Sequence, residues 1–194
     1  MNRIEALDSI ISRFDLNTHP FYLAWAAGTL PRQALVDYSG EYRHFIATIA
    51  DGWDAIGQTA YADDERDHER MWANFQSSLG FETALILKST EDLVEAATLA
   101  FSSPASAVGG LYAFEAQQPR TSRSKLDGLR AYYGVGAVGE EYFVVHADDV
   151  HEIEELRKHV LELSEDEFEM TSTACENVCS AMWRALDGLY PVCA

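Results

Sequence analysis

Glu65 and His68 stand three apart in Glu65-Arg66-Asp67-His68, and on a helix that separation turns both side chains to one side. A Glu and a His so spaced form each half-site of carboxylate di-iron bundles. The run from Asp63 to Glu69 is acidic throughout, and Glu41 and His44 repeat the spacing, so spacing alone leaves a solvated acidic face open. A second cluster, His146-Ala147-Asp148-Asp149-Val150-His151, follows the apolar-aromatic run Tyr142-Phe143-Val144-Val145. Two imidazoles and two carboxylates within six residues suit iron, manganese or zinc. The continuation through Glu152, Glu154 and Glu155 fits a helix turn facing solvent instead. Glu115 stands alone in Gly109-Gly110-Leu111-Tyr112-Ala113-Phe114-Glu115-Ala116. A carboxylate in so apolar a segment must be paired, protonated or bound to a metal. Together two Glu, a third carboxylate and three His make a two-metal set. With no zinc-finger spacing and no HExxH, hydrolytic zinc is the weaker choice.

Helices must position these groups, because helical periodicity runs through nearly the whole chain and strand signals are almost absent. Ile4, Leu7, Ile11 and Phe14 mark the first helix. Asn17 or Thr18 can cap a second, with Pro20 in its first turn and Gly28 closing it. Thr29 and Pro31 open a long helix expected to reach about Ile56, carrying Leu35, Tyr38, Tyr42, Phe45 and Ile49. Further helices are expected from Thr59 to Leu79, from Glu91 to Phe101 with Thr90 as cap, from Pro104 to before Pro119, from Ser122 to Tyr133, and from Glu140 to Leu163. Ser164-Glu165-Asp166-Glu167 is a capping box. It opens a last helix with an apolar stripe of Phe168, Cys175, Val178, Met182, Leu186 and Leu189. With no internal repeat or dividing linker, residues 1–194 read as one all-α domain of about eight or nine helices.

Composition narrows the function classes. Of 194 residues 47% are apolar, and 32 Asp plus Glu against 14 Lys plus Arg give a net charge of −18. That field repels phosphate backbones and anionic lipid, so neither nucleic acid nor membrane is an expected partner. No segment has the roughly 18–20 apolar residues of a membrane span, and no signal-peptide h-region is read at the N-terminus. The lysines are only Lys88, Lys125 and Lys158, an acidic, Lys-poor surface that suits a halophilic host. Cys175, Cys179 and Cys193 form no disulfide framework, which points to a reducing cytoplasm. On the last helix they read as small core or interface residues.

Four segments, in order, carry a family pattern. His19-Pro20-Phe21-Tyr22 with Trp25, Gly28, Leu30 and Tyr38 is the first. His68 to Trp72 with Phe75, Leu79 and Gly80 is the second. The third is Leu111-Tyr112-Ala113-Phe114-Glu115 with Pro119, Lys125, Gly128-Leu129 and Tyr133-Gly134. Tyr142-Phe143 before the His/Asp/His cluster is the fourth. Across nearly the whole chain these segments resemble the family containing TenA, PqqC and the Chlamydia protein associating with death domains, most closely its last, CADD-like branch. The resemblance implies a heme-oxygenase-like bundle without heme and a dinuclear iron or iron–manganese site. Its ligands would fall on Glu65, His68, Glu115, His146, Asp148 or Asp149, and His151. Two spacings depart from the pattern. Two residues rather than six separate Glu65 from His68. His146 precedes Asp148 by two residues rather than four, which on an ideal helix turns it about 200° away. A bulge, a helix starting near Asp148 or a shift to Asp149 would restore the set; otherwise the second metal is weakly held or lost.

The branch further implies synthesis of p-aminobenzoate, a folate precursor, by an oxidoreductase that consumes its own tyrosine. It would use O2, an external reductant and a lysine as nitrogen donor. The matching positions are Tyr22 and Lys125, with Tyr38 as a second implicated tyrosine. Tyr22 and Tyr38 also fit plain core packing. Family habit and the apolar last helix imply a homodimer. The rival readings are a dimetal oxygenase acting on an added small acid, a TenA-like hydrolase of thiamine-related substrates, a cofactor-less PqqC-like enzyme, which the clustered metal ligands argue against, and a non-catalytic helical interaction module. The hydrolase needs a mid-chain nucleophilic cysteine, and the cysteines here are terminal.

Overall fold

Most start and stop signals in the chain are used, but the second helix is capped by His19 rather than Asn17 or Thr18, and two of the expected long helices are broken. The computed structural model describes residues 2–81 and 86–190, and all regular structure among them is helical. The first half comprises α1 (Arg3–Arg13), a short 3-10 turn (Leu16–Thr18), α2 (Pro20–Ala26), α3 (Arg32–Ile46), α4 (Ile49–Ala55) and α5 (Thr59–Leu79). The second half comprises α6 (Lys88–Ala100), α7 (Pro104–Glu115), α8 (Gln118–Gly128), a π-helical turn (Leu129–Tyr133), α9 (Gly136–His146), α10 (His151–Glu162) and α11 (Glu165–Leu189). Eleven α-helices among the described residues exceed the eight or nine expected. Cys193 lies outside the described residues.

The differences have local causes. The helix expected from Thr29 to Ile56 divides into α3 and α4 at Ala47–Thr48, where the Thr48 hydroxyl donates to the Phe45 carbonyl at 2.7 Å. The helix expected from Glu140 to Leu163 divides into α9 and α10. Between them the Asp149 carboxylate accepts the His151 backbone N–H at 3.1 Å, a local bond that competes with helix propagation. α8 starts at Gln118 rather than Ser122, with Pro119 in its first turn, where its missing N–H costs nothing. Thr90 lies inside α6 rather than capping it; the cap falls at Leu87, whose N–H donates to Glu41 of α3 at 3.0 Å, and the Thr90 hydroxyl bonds the same carboxylate.

One continuous apolar core joins these helices. α11 runs along α7 and α6, while α5 lies against α9, α4 and α3. α8 bridges α9 and α2. Two glycines set the closest approaches. A Cβ on Gly128 of α8 would come within 2.8–2.9 Å of the Trp25 ring and carbonyl, so α2 seats directly on the helix that carries Lys125. A Cβ on Gly109 of α7 would stand 2.0 Å from the Thr171 carbonyl oxygen of α11. The Thr171 hydroxyl donates in turn to the Ala105 carbonyl at 2.7 Å. Cys175 and Cys179 are buried on α11 as free thiols, in the core role expected for them.

Backbone cannot yield as a flexible side chain does, so Gly109→Ala should cost about 1–3 kcal/mol, lowering Tm by roughly 3–10 °C. Removing the α11 cap by Ser164→Ala should cost only about 1 kcal/mol. Thermal melts of the two variants would contradict this packing if Gly109→Ala were the milder change.

Candidate active site

The spacing of Glu65 and His68 does bring both to one face, and that face is buried. Their neighbours Asp63, Asp64, Asp67 and Glu69 are exposed while Glu65 and His68 are buried. The matching pair on α3 does something else. Glu41 is consumed in fastening α6, and His44 is exposed. Only the burial pattern separates the two pairs.

Two helix ends supply further buried ligand-type side chains. Glu115 is the last residue of α7, and His146 is the last of α9; both are buried. Ligand atoms of Glu65, His68 and His146 lie within 4.8 Å of one another, and the two imidazole centroids are 4.4 Å apart. His146 Nδ1 lies 2.6 Å from the Tyr142 carbonyl oxygen. A carbonyl only accepts, so the proton sits on Nδ1 and the Nε2 lone pair is free. His146 Nε2 has no partner, nor do Glu65 Oε2, His68 Nδ1 and Glu115 Oε1. These are four of the eight buried side-chain atoms without a partner among the described residues. Each such orphan costs about 1–3 kcal/mol; those of Glu65, His68 and His146 fall in one group, in which His68 Nδ1 stands 3.5 Å from the other Glu65 oxygen. Two carboxylates and two neutral-capable imidazoles fit iron or manganese by donor type.

The electrostatics agree. Burial, then the charges of Glu152 and Glu65, raises the Glu115 carboxyl well above the ordinary range. Burial, followed by the neighbouring His68, lowers His146 to about 3, so it stays neutral. For His68 burial pulls downward, but Glu65, Glu152 and Asp64 outweigh it and the net shift is upward. A divalent cation here would relieve the repulsion among the carboxylates.

The turn between α9 and α10 separates the remaining residues of the cluster. Because the helix ends at His146 and restarts at His151, ideal-helix rotation does not govern their relation. Asp148, carried as one of two alternatives, is directed elsewhere: its side chain is 83% exposed and paired with Arg123 of α8. Asp149 accepts from the His151 ring as well as its backbone. His151 is half-exposed and stacks on Tyr61 at 5.3 Å. Ligand atoms of Asp149, His151 and Glu152 lie within 4.8 Å of one another. Glu152, expected with Glu154 and Glu155 on a solvent-facing turn, is buried instead, because it shares a helix row with the buried Leu156 and Val160.

A second group forms around α2. The His19 ring caps this helix through Nδ1, which accepts the Phe21 N–H at 3.1 Å, while Nε2 lies 3.1 Å from Asp187. The cap fixes the turn that carries Tyr22. The Tyr22 and Tyr38 hydroxyls are 3.0 Å apart, and Lys125 Nζ lies 4.4 Å from the Tyr22 ring centroid and 5.6 Å from that of Tyr38. All three side chains are buried. Burial lowers Lys125 to about 7 and raises both phenols, so the tyrosines are protonated at neutral pH. α2 packs chiefly on α8 and meets α5, the helix bearing Glu65, through Trp25 stacked on Phe75 at 6.3 Å. Aromatic rings fill the space between. His146 to Tyr142 is 4.1 Å, Tyr142 to Trp72 is 4.9 Å, Trp72 to Tyr38 is 5.9 Å and Tyr38 to Tyr22 is 6.0 Å between centroids. The broad surface groove of about 900 Å3 between α6, α7 and α11 is lined by none of these residues.

An all-α bundle that gathers buried carboxylates and imidazoles from several helices has the architecture of a non-heme metal redox protein. The chain belongs to the iron-containing redox enzyme family, whose model matches residues 17–188. It is 29% identical to a 4-aminobenzoate synthase of Nitrosomonas europaea, over 96% of this chain and 90% of that one. It is 30% identical to a 4-aminobenzoate synthase of Chlamydia pneumoniae, over 78% and 79%. In fold it resembles a heme oxygenase-like domain from Shewanella denitrificans, with a TM-score of 0.81 and 17% identity over 98% and 92% of the two chains. A TenA homologue from Pseudomonas syringae gives 0.79 and 16% over 96% and 92%.

The buried carboxyl of Glu115 supplies a test of the site. A carboxyl raised by burial gives stability that is present below its ordinary value near 4.5 and is lost as pH rises. Metal-free Glu115→Gln should therefore melt with wild type near pH 4 and several degrees above it near pH 8. Fe(II) added under argon should raise the wild-type Tm more than the variant's. Equal melting across the range, with or without iron, would contradict a charged cluster at this position.

Proposed function

We propose that this enzyme makes p-aminobenzoate from its own side chains, with Tyr22 as ring source and Lys125 as nitrogen donor. The metal centre would be dinuclear, iron with iron or with manganese, held by Glu65, His68, Glu115 and His146 with Asp149 and His151. O2 and an external reductant would be its co-substrates. The observation that carries the reading is the Lys125 amine held 4.4 Å over the Tyr22 ring, in a chain whose relatives are named 4-aminobenzoate synthase.

Bound iron supplies the redox chemistry by which O2 is activated. The protein's own contribution is positioning, dryness and proton state. With burial lowering Lys125 to about 7, the neutral amine is accessible at neutral pH, and only that form has a lone pair for a new C–N bond. No carboxylate among the described residues lies within 4.0 Å to hold the ammonium form. Trp25 donates its indole N–H to the Lys125 carbonyl at 3.2 Å, locking α8 to α2 so that amine and ring keep their relation. Phe21 and Trp25 flank Tyr22, excluding water from an electron-rich phenol. The Tyr38 hydroxyl, 3.0 Å from that of Tyr22, holds the ring source in place. Because a side chain is consumed, yield would be limited to about one product per chain. The free buried thiols of Cys175 and Cys179 support a cytoplasmic setting. Among the described residues no helix is long and apolar enough to cross a membrane.

Protein expressed with ring-labelled tyrosine, loaded with iron or iron plus manganese and given reductant and O2, should release labelled p-aminobenzoate. Intact mass should show the matching loss. Tyr22→Phe and Lys125→Arg should each remove at least about 90% of the product while metal content stays near wild type. Because Lys125 must be neutral, yield should rise as pH passes through about 7. Unlabelled product formed from an added small acid by a fully active Tyr22→Phe variant would install the exogenous-substrate oxygenase instead.

A further inference from the structure

We propose that Glu152 is a metal ligand of this centre, a further carboxylate beside Asp149 and His151. The inference rests on the metal-centre part of the proposed function and adds a residue outside the set implied by family resemblance. Three observations carry it. First, Glu152 is only 5% exposed, whereas the next glutamate in its acidic run, Glu154, is exposed. The Leu156 and Val160 row turns it into the bundle. Second, its carboxylate makes no hydrogen bond among the described residues; the nearest cationic group is His151 Nε2 at 3.9 Å. A buried carboxylate with so little compensation is costly unless something binds it. Third, it is grouped with Asp149 and His151 as ligand-type atoms within 4.8 Å.

Asp148 offers the contrast. It stands on the same turn, but its side chain is in solvent and neutralised by Arg123. Breaking the helix after His146 therefore exchanges one carboxylate for another. Asp148 is turned outward, and the first turn of α10 delivers Glu152 inward. The oxygen donor is one that both iron and manganese accept.

The test is an anaerobic Mn(II) titration followed by the EPR signal of the free ion, on wild type, Glu152→Gln, Glu152→Asp and Asp148→Asn. Wild type should bind close to two equivalents. Glu152→Gln should lose one equivalent or bind at least about tenfold more weakly, the scale on which weaker supporting groups already act. Glu152→Asp keeps a carboxylate and should bind at least about threefold more tightly than Glu152→Gln, which separates ligation from a general effect on folding. Asp148→Asn should match wild type. Circular dichroism of each metal-free variant monitors the helices. Wild-type binding by Glu152→Gln, or a loss confined to Asp148→Asn, would overturn the assignment while leaving the metal centre intact. A wild type that binds no Mn(II) or Fe(II) would overturn the metal centre itself.

Discussion

Carboxylates brought together inside an apolar bundle repel one another and lose their hydration at the same time. Glu65, Glu115 and Glu152 are in that position, with His68 and His146 beside them and no buried Lys or Arg to pair with. Lys125, the buried cation, is spent among the tyrosines. The cost is bearable only if the carboxyls hold protons or a metal cation replaces them. The rest of the bundle is arranged to keep this unfavourable group in place: α7 is pinned to α11 through Gly109 and Thr171, and α5 is wedged between α9, α4 and α3.

Helix ends do much of the work of delivery. Glu115 and His146 close α7 and α9, and His151 with Glu152 opens α10. A residue at a helix end can be turned by the adjoining loop without disturbing the packed stripe behind it. The tyrosine–lysine group is built differently, from buried side chains within α2, α3 and α8. The aromatic layer of Tyr142 and Trp72 lies between the two groups and is common to both. The charged cluster and the amine–phenol pocket are therefore distinct environments in one core: one polar and short of partners, the other aromatic and dry.

The all-α class was legible because helical periodicity and caps are local properties. The Gly80 stop, Pro104 start and Ser164 capping box each fall where the residues indicate. Burial was less legible. Glu41–His44 and Glu65–His68 are equivalent as strings, and only tertiary packing separates a cap for a neighbouring helix from a buried pair. Helix breaks within apolar runs were missed for a related reason: nothing in the periodicity of residues 140–163 marks the turn at 147–150, because side-chain bonds from Asp149 decide it. That missed turn also hid Glu152. Lys125 was singled out by rarity and by family resemblance, but its seat over Tyr22 depends on the Gly128–Trp25 contact, which no spacing rule foretells.

The central claim is that the orphaned atoms of Glu65, His68, Glu115 and His146 face bound iron. Crystals grown anaerobically with Fe(II), with diffraction collected on both sides of the iron absorption edge, test it most directly. The account predicts anomalous density for iron enclosed by these four side chains. Anomalous density confined to surface carboxylates such as Asp63, Asp64 and Asp67, with the buried cluster empty of iron, would contradict it.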